Sequence, residues 1–175
     1  MTSSAQIFKK KNNDILEIWM KNQLADTNLR EDLMSNEELR SQSEELVDTL
    51  ISSLNSENIL DVNSMDFDGV TEILSGISIS RARQGYSPRE TGAFVLSLKE
   101  ALLTVLQSEI KNDPTALYEE SLKVNRLIDS FSIITFKTFI KGREEVILRQ
   151  TDEIAEISTP VIRVWDGILA LPIIG

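Results

Sequence analysis

The stretch from Asp113-Pro114 to Pro160 constrains the fold most, because its pattern is helical throughout and only Gly142 interrupts it. Asp113 can cap the first turn, and Pro114 fits the first helical position, where a missing amide costs nothing. A helix of about 40 residues spans roughly 60 Å at about 1.5 Å per residue, which is more than a small domain can cover along its whole length. The sequence therefore predicts a long last helix, part of which projects from the rest.

In residues 159–175, after this helix, the spacing of apolar residues changes abruptly from a helical pattern. Pro160 removes a helix hydrogen bond, so we expect the helix to stop there. Two apolar runs follow on either side of Asp166-Gly167, a dipeptide typical of hairpin turns. Two strands alone are marginally stable and leave apolar edges open. We therefore predict that this β-hairpin begins a further, β-containing domain that is truncated in the chain.

Four shorter helices are predicted before the long one. Apolar spacing indicates a first helix from Ile7 to about Leu24. Capping boxes at Ser35–Glu38 and Ser87–Glu90 open the second and fourth helices. The third helix should start near residue 64 or 66 and end at Gly85, where a left-handed cap suits glycine.

The predicted fold class is accordingly all-α, with about five helices in a bundle, a long C-terminal linker helix and a short hairpin. Three domains are predicted: a helical N-terminal domain (1–130), a coiled-coil-like linker helix (131–158) and the start of the truncated domain (159–175). Large aromatic residues at helical spacing are predicted to form the core rather than a cofactor box: Trp19, Phe67, Phe94 and Phe131.

The composition excludes several functions. The chain has no cysteine and no histidine, so it has no disulfide, no Ser-His-Asp triad, no histidine-held zinc and no histidine-ligated haem. We expect no metal and no cofactor. Acidic residues outnumber basic ones by 28 to 18, and the formal charge of −10 disfavours nucleic acid as a partner. No signal peptide and no membrane-spanning run is visible, so a cytoplasmic protein that does not contact membranes is expected.

The long helix carries a seven-residue repeat of isoleucine. These isoleucines are Ile133, Ile140, Ile147 and Ile154, and three residues after each come Phe136, Arg143, Gln150 and Ile157. Isoleucine at the first position of a heptad favours parallel pairs, whereas polar residues at the fourth weaken the seam and fix its register. We predict a homodimer through this helix, with an interface of Ile133, Phe136, Ile140, Ile147, Ile154 and Ile157. For Ile133 and Phe136, packing on their own bundle is an equal alternative.

No set of residues suggests catalysis, and we predict no enzyme and no catalytic residue. Adjacent acids such as Glu119-Glu120 and Glu144-Glu145 diverge by about 100° on a helix and are interpreted as solvated faces. Arg81 and Arg83 lie at the end of the third predicted helix, where they complement the helix dipole. They are also the candidate contacts for an anion or an acidic partner residue. No residue can be named for binding a cofactor.

Two segments resemble a known family. Ser80-Arg-Ala-Arg-Gln-Gly-Tyr-Ser-Pro-Arg-Glu-Thr91, with the earlier Ile15-Leu-Glu-Ile-Trp19, is similar to the N-terminal domain of RsbRD-type RsbT co-antagonists. Residues 156–175 are similar to the junction between linker helix and STAS domain in RsbR-like stressosome proteins.

The resemblance implies a scaffold subunit of the stressosome. In that family a dimeric sensor domain projects outward, and a helical linker joins it to a STAS domain that assembles with an RsbS-like protein and sequesters an RsbT-like kinase. The phosphorylated threonines of such a STAS domain would lie beyond residue 175. Some relatives have a globin-like N-terminal domain, and that fold is an alternative to a simple bundle here. The implied function is a non-enzymatic, stress-sensing and dimerisation module. The alternatives are a helical domain that binds a small apolar ligand or lipid, and a purely structural dimerisation spacer.

Overall fold

The structure, a computed structural model, describes residues 3–27, 29–157 and 161–171. Within these ranges lie six α-helices and one antiparallel hairpin. The helices are α1 (Ser4–Lys10), α2 (Asn12–Leu24), α3 (Asn36–Ser53), α4 (Asp68–Gln84), α5 (Pro88–Glu109) and α6 (Pro114–Ile157), and the strands are β1 (Ile162–Trp165) and β2 (Ile168–Ala170). The predicted all-α class, the long last helix and the terminal hairpin are confirmed.

The first predicted helix is in fact two helices, so the prediction of one continuous helix was wrong. Lys11 leaves the helical conformation, with φ −114° and ψ 23°, and its amide donates to the carbonyls of both Ile7 and Phe8. Ile7 and Phe8 are buried, as is Trp19 in α2. The break lets α1 pack its own apolar face against the core. This burial depends on contacts with distant segments, so the local sequence does not indicate it.

The predicted helix ends are confirmed wherever a side chain or glycine defines them. Both capping boxes, at Ser35–Glu38 and Ser87–Glu90, make their two reciprocal hydrogen bonds. Gly85 ends α4 with φ 93°, a left-handed conformation that an L side chain rarely adopts. Asp113 Oδ1 accepts from the amide of Ala116 at 2.9 Å and so caps α6.

The core lies where α2, α4, α5 and α6 meet. The Trp19 ring packs 4.8 Å from the Phe94 ring, and its indole N–H donates to the Phe94 carbonyl and to Ser97 Oγ. Phe67 and Phe131 pack edge to face at 5.5 Å. All four aromatic side chains are buried, so their prediction as core residues is confirmed.

Helix α6 extends well past the bundle. Its last buried side chain is that of Val146, and residues 147–157 are all exposed in the chain. Forty-four residues correspond to roughly 66 Å at about 1.5 Å per residue. The predicted division between domain and linker at residue 130 falls inside this continuous helix, and packing on the bundle continues for about four more turns.

The hairpin pairs Ile162 with Ala170 and Arg163 with Leu169, and Gly167 in its turn has φ 84°. Large apolar side chains of both strands are exposed, including Trp165, which is 75% exposed. The predicted stop at Pro160 lies outside the described residues.

Candidate functional site

A small pocket lies between α2, the described part of the connector that follows it (residues 25–27 and 29–34), the end of α4 and the start of α5. Its volume is about 60 Å³. It is lined by polar and apolar side chains, among them Gln23, Leu29, Arg30, Met34, Leu39, Arg81, Tyr86, Glu90, Ala93 and Phe94. The connector therefore forms one wall of a pocket, although its sequence indicates only a polar loop.

Arg81 is the most unusual residue of this pocket, because it carries a positive charge and yet the residue is only 4% exposed. The guanidinium carbon lies 4.9 Å from the ring centre of Tyr86 and 4.4 Å from that of Phe94, so two aromatic faces flank the charge. Its one hydrogen bond within the described residues is a long one, 3.4 Å from Nη1 to the Glu90 carbonyl. The buried Nε has no partner there. The cation is thus buried with most of its donors unused.

Two other charged residues of the pocket, Arg30 and Glu90, already have partners. Arg30 donates two hydrogen bonds, of 2.9 and 2.8 Å, to the carboxylate of Asp32, and they raise the pKa of Arg30. The Glu90 carboxylate accepts a hydrogen bond from the amide of Ser87 at 2.6 Å and lies 3.7 Å from Arg30. The hydrogen bond from the Ser87 amide is the main cause that lowers the pKa of Glu90, and Arg30 lowers it further. Arg81 forms no ion pair among the described residues, and its burial lowers its pKa.

The two arginines that the sequence grouped together have separate roles. Arg81 lines the pocket, whereas Arg83 is largely exposed and lies 3.5 Å from Glu145 of α6. Residues two apart on a helix point about 200° away from each other, which is why one faces inward and the other outward. Of the two, Arg81 lies in a pocket that could enclose an anion, and Arg83 lies on the surface.

Tyr86 and Phe94 were not predicted as part of a site, but one signal was available. The glycine cap at Gly85 turns the chain back, and the Tyr86 amide donates to the Arg81 carbonyl at 3.0 Å. This hydrogen bond belongs to the glycine cap and places the tyrosine ring beside the arginine. The arginine, the glycine and the tyrosine together therefore indicated a cation beside an aromatic ring.

The interpretation of Glu119-Glu120 as a solvated pair was wrong for Glu120, which is buried. Its carboxylate accepts from the amide of Ser4 at 2.7 Å and from Lys123 Nζ. It therefore fixes the start of α1 to α6, a contact between residues 116 apart in sequence. Glu119 is exposed, as are Glu144 and Glu145.

The predicted interface residues on α6 are mostly exposed in the single chain. Exposure is 68% for Ile133, 55% for Ile140, 53% for Ile147, 64% for Ile154 and 85% for Ile157. Phe136 differs, because its half-buried ring packs on Gly92 so closely that a Cβ at that glycine would clash with it. Phe136 thus contacts its own bundle, whereas Ile133 is largely exposed in the single chain.

Gly142 and Arg143 connect α6 to the pocket side of the bundle. A Cβ placed on Gly142 would lie 3.0 Å from the Cβ of Ala82 and 3.3 Å from the Cα of Ile79, so glycine allows α4 and α6 to approach closely. Arg143 Nη1 lies 3.5 Å from the Ala82 carbonyl. Ala82 directly follows Arg81, so the end of α4 contacts the pocket on one side and α6 on the other.

In the part of the chain that the structure describes, no three acidic side chains converge as metal ligands do. No helix there is long and apolar enough to cross a membrane.

These features define a helical module with a projecting helix and a small charged pocket. A family model, the RsbT co-antagonist protein rsbRD N-terminal domain, matches residues 13–154. The match covers most of the chain, so the chain belongs to this family, and the resemblance to RsbR-type stressosome proteins is confirmed. Membership supports a stressosome-associated signalling role. Comparison with curated proteins gave no match, and neither did comparison with solved structures.

Proposed function

We propose that this chain is a non-enzymatic sensor and dimerisation module of a stressosome scaffold, in which two copies pair in parallel through α6. The observation that carries the proposal is the row of exposed isoleucines on the helix that leaves the bundle. Family membership supports the signalling role, and the isoleucine row supports the pairing.

Burial of this row would supply a substantial driving force. Ile147, Ile154 and Ile157 lie beyond the last buried residue of the bundle, and each is more than half exposed. Fully burying an isoleucine side chain contributes about 1.5–3 kcal/mol, and pairing would bury three of them on each chain. Gln150, which lies between them, would weaken the seam slightly but hold the two helices in register.

The hairpin at 162–170 supports a second part of the proposal, that α6 leads into a STAS domain. Apolar side chains are exposed on both strands, and a two-stranded sheet needs further strands or helices to cover them. In the resemblance to RsbR-like proteins this segment is the start of the STAS domain. Through it, the module would act on an RsbS-like partner and an RsbT-like kinase.

Sedimentation of the chain at tens of micromolar tests the pairing. We expect a dimer for the native sequence and a shift to monomer for Ile147→Asp and Ile154→Asp, because each places a charge in the seam. Leu148→Asp is the matched control: it also replaces an exposed apolar residue of α6, but outside the isoleucine row, and should remain dimeric. A native monomer, or equal effects of Ile147→Asp and Leu148→Asp, would show the proposal to be wrong.

The structure also bears on the alternative of a ligand-binding domain. The Arg81 pocket favours a ligand, but its volume of about 60 Å³ and its buried cation do not suit a lipid chain. A small charged ligand fits better. A purely structural spacer would use neither the pocket nor its cation.

A further inference from the structure

We propose that the Arg81 pocket binds a small monocarboxylate, whose carboxylate accepts hydrogen bonds from Arg81. The binding itself is independent of the function proposed above. Its use as a signal rests on that function.

The donors of Arg81 are the first argument. A guanidinium carries five N–H donors in a rigid fork that matches a carboxylate. Within the described residues one of them is used, at 3.4 Å, and the buried Nε has no acceptor. The flanking rings of Tyr86 and Phe94 stabilise the charge but accept no strong hydrogen bond. An acceptor bearing a negative charge would complete the site.

Charge and size select the kind of anion. Two carboxylates, those of Asp26 and Glu90, line the pocket, and the chain as a whole has a formal charge of −10, so a dianion such as phosphate is disfavoured against a monoanion. A volume of about 60 Å³ is several times the roughly 10–15 Å³ that a single water needs, so the pocket has room for a carboxylate with a short chain and not for a large ligand. Leu29, Met34 and Leu39 line the remaining wall and would contact that chain.

The position of Arg81 suggests how occupancy would reach the linker. Ala82 follows it, is fully buried, and contacts α6 at Gly142 and Arg143. A ligand that draws the end of α4 towards the pocket would change this contact. The change would then pass to the part of α6 that carries the isoleucine row.

A titration of the full chain with propionate tests the binding, at an ionic strength held constant with sodium chloride. We expect saturable binding within tens of millimolar, a range on the order of what a ligand of this size can reach. The Arg81 Nε–H resonance should shift with the same saturation curve. Propionamide, which has the same shape and no charge, should not bind, and inorganic phosphate should bind more weakly. Absence of saturation, or binding of propionamide or phosphate as tight as that of propionate, would overturn the proposal.

Two variants and one matched control complete the test. Arg81→Gln should weaken binding about thirtyfold or more, as loss of a buried charge partner does. Arg83→Gln removes the same charge two residues away on the exposed side and should bind as the native chain does. If Arg81→Gln does not fold, Ala93→Leu tests the proposal instead. The larger side chain fills the pocket and leaves Arg81 in place, so binding should be abolished. Unchanged binding in Ala93→Leu, or in a folded Arg81→Gln, would contradict the assignment.

The same titration of Ile147→Asp separates this proposal from that of the dimer. Full binding by a monomeric Ile147→Asp chain would support the pocket without the pairing. A native dimer that binds no propionate would support the pairing and overturn the pocket.

Discussion

Single polar residues hold distant parts of this bundle together, and Glu120 is the clearest example. Its buried carboxylate accepts from the Ser4 amide and from Lys123, so it joins the first helix to the last. Burial alone would raise the pKa of this carboxyl group, but the hydrogen bonds from Lys123 and Ser4 outweigh it, and the pKa lies below its ordinary 4.5. The ionised form is therefore the one that the fold prefers.

Glu120→Gln should lower the free energy of unfolding at neutral pH by about 1–3 kcal/mol, because it replaces a charged acceptor by a neutral one. Since the folded pKa is lowered, the contribution of Glu120 is complete above pH 4.5 and is lost as the pH falls through the folded pKa. Urea unfolding at pH 7 and pH 3 should therefore show a smaller difference between variant and native chain at the lower pH. Glu119→Gln, at an exposed position, is the control and should change little. An equal loss at both pH values would contradict this account.

At the scale of elements, α4 and α6 determine how the projecting helix leaves the bundle. They approach closely because Gly142 has no side chain, and Arg143 and the pair Arg83–Glu145 reinforce the contact. Glycine inside a helix costs about 1 kcal/mol relative to alanine. Close packing against Ala82 offsets this cost, so Gly142 is explained by tertiary contact rather than by local preference.

Gly142→Leu should lower the free energy of unfolding by about 1–3 kcal/mol, because the new side chain meets the backbone of α4. Gly76→Leu is the matched control, since it makes the same change on α4 where an added Cβ meets nothing within 4 Å. This control should be neutral or stabilised by up to about 1 kcal/mol through its higher helix propensity. Urea midpoints compare the two. If Gly142→Leu left the free energy of unfolding unchanged, the close approach of α4 and α6 would not contribute to stability.

The same elements show what the sequence could predict. Helix ends at Ser35, Gly85 and Ser87 were predicted because their signals are local: each depends on residues within one turn. The break at Lys11 and the burial of Glu120 were missed because both depend on contacts between segments far apart in the chain. Part of the candidate site could also be predicted from the sequence. Arg81 was identified, but the connector that walls its pocket was not.

At the scale of the whole molecule, the chain consists of a bundle with a well-buried core and a hairpin whose apolar side chains face solvent. Its two tryptophans report on these two parts separately. Trp19 is fully buried in the bundle, whereas Trp165 is 75% exposed on the hairpin. Two strands without further cover are marginal, so the hairpin should add little to the stability of the bundle.

Quenching of tryptophan fluorescence by iodide tests this separation. In the native chain at low concentration we expect one readily quenched component and one protected component, because iodide reaches the exposed indole and not the buried one. Trp165→Phe should remove the quenched component and leave the urea midpoint unchanged, since an exposed ring contributes little to stability. If the hairpin pairs with that of a second copy, the quenched fraction will instead fall as protein concentration rises. Two protected tryptophans at the lowest concentration would show that the hairpin packs on its own bundle, and the proposal that it begins a separate domain would then be wrong.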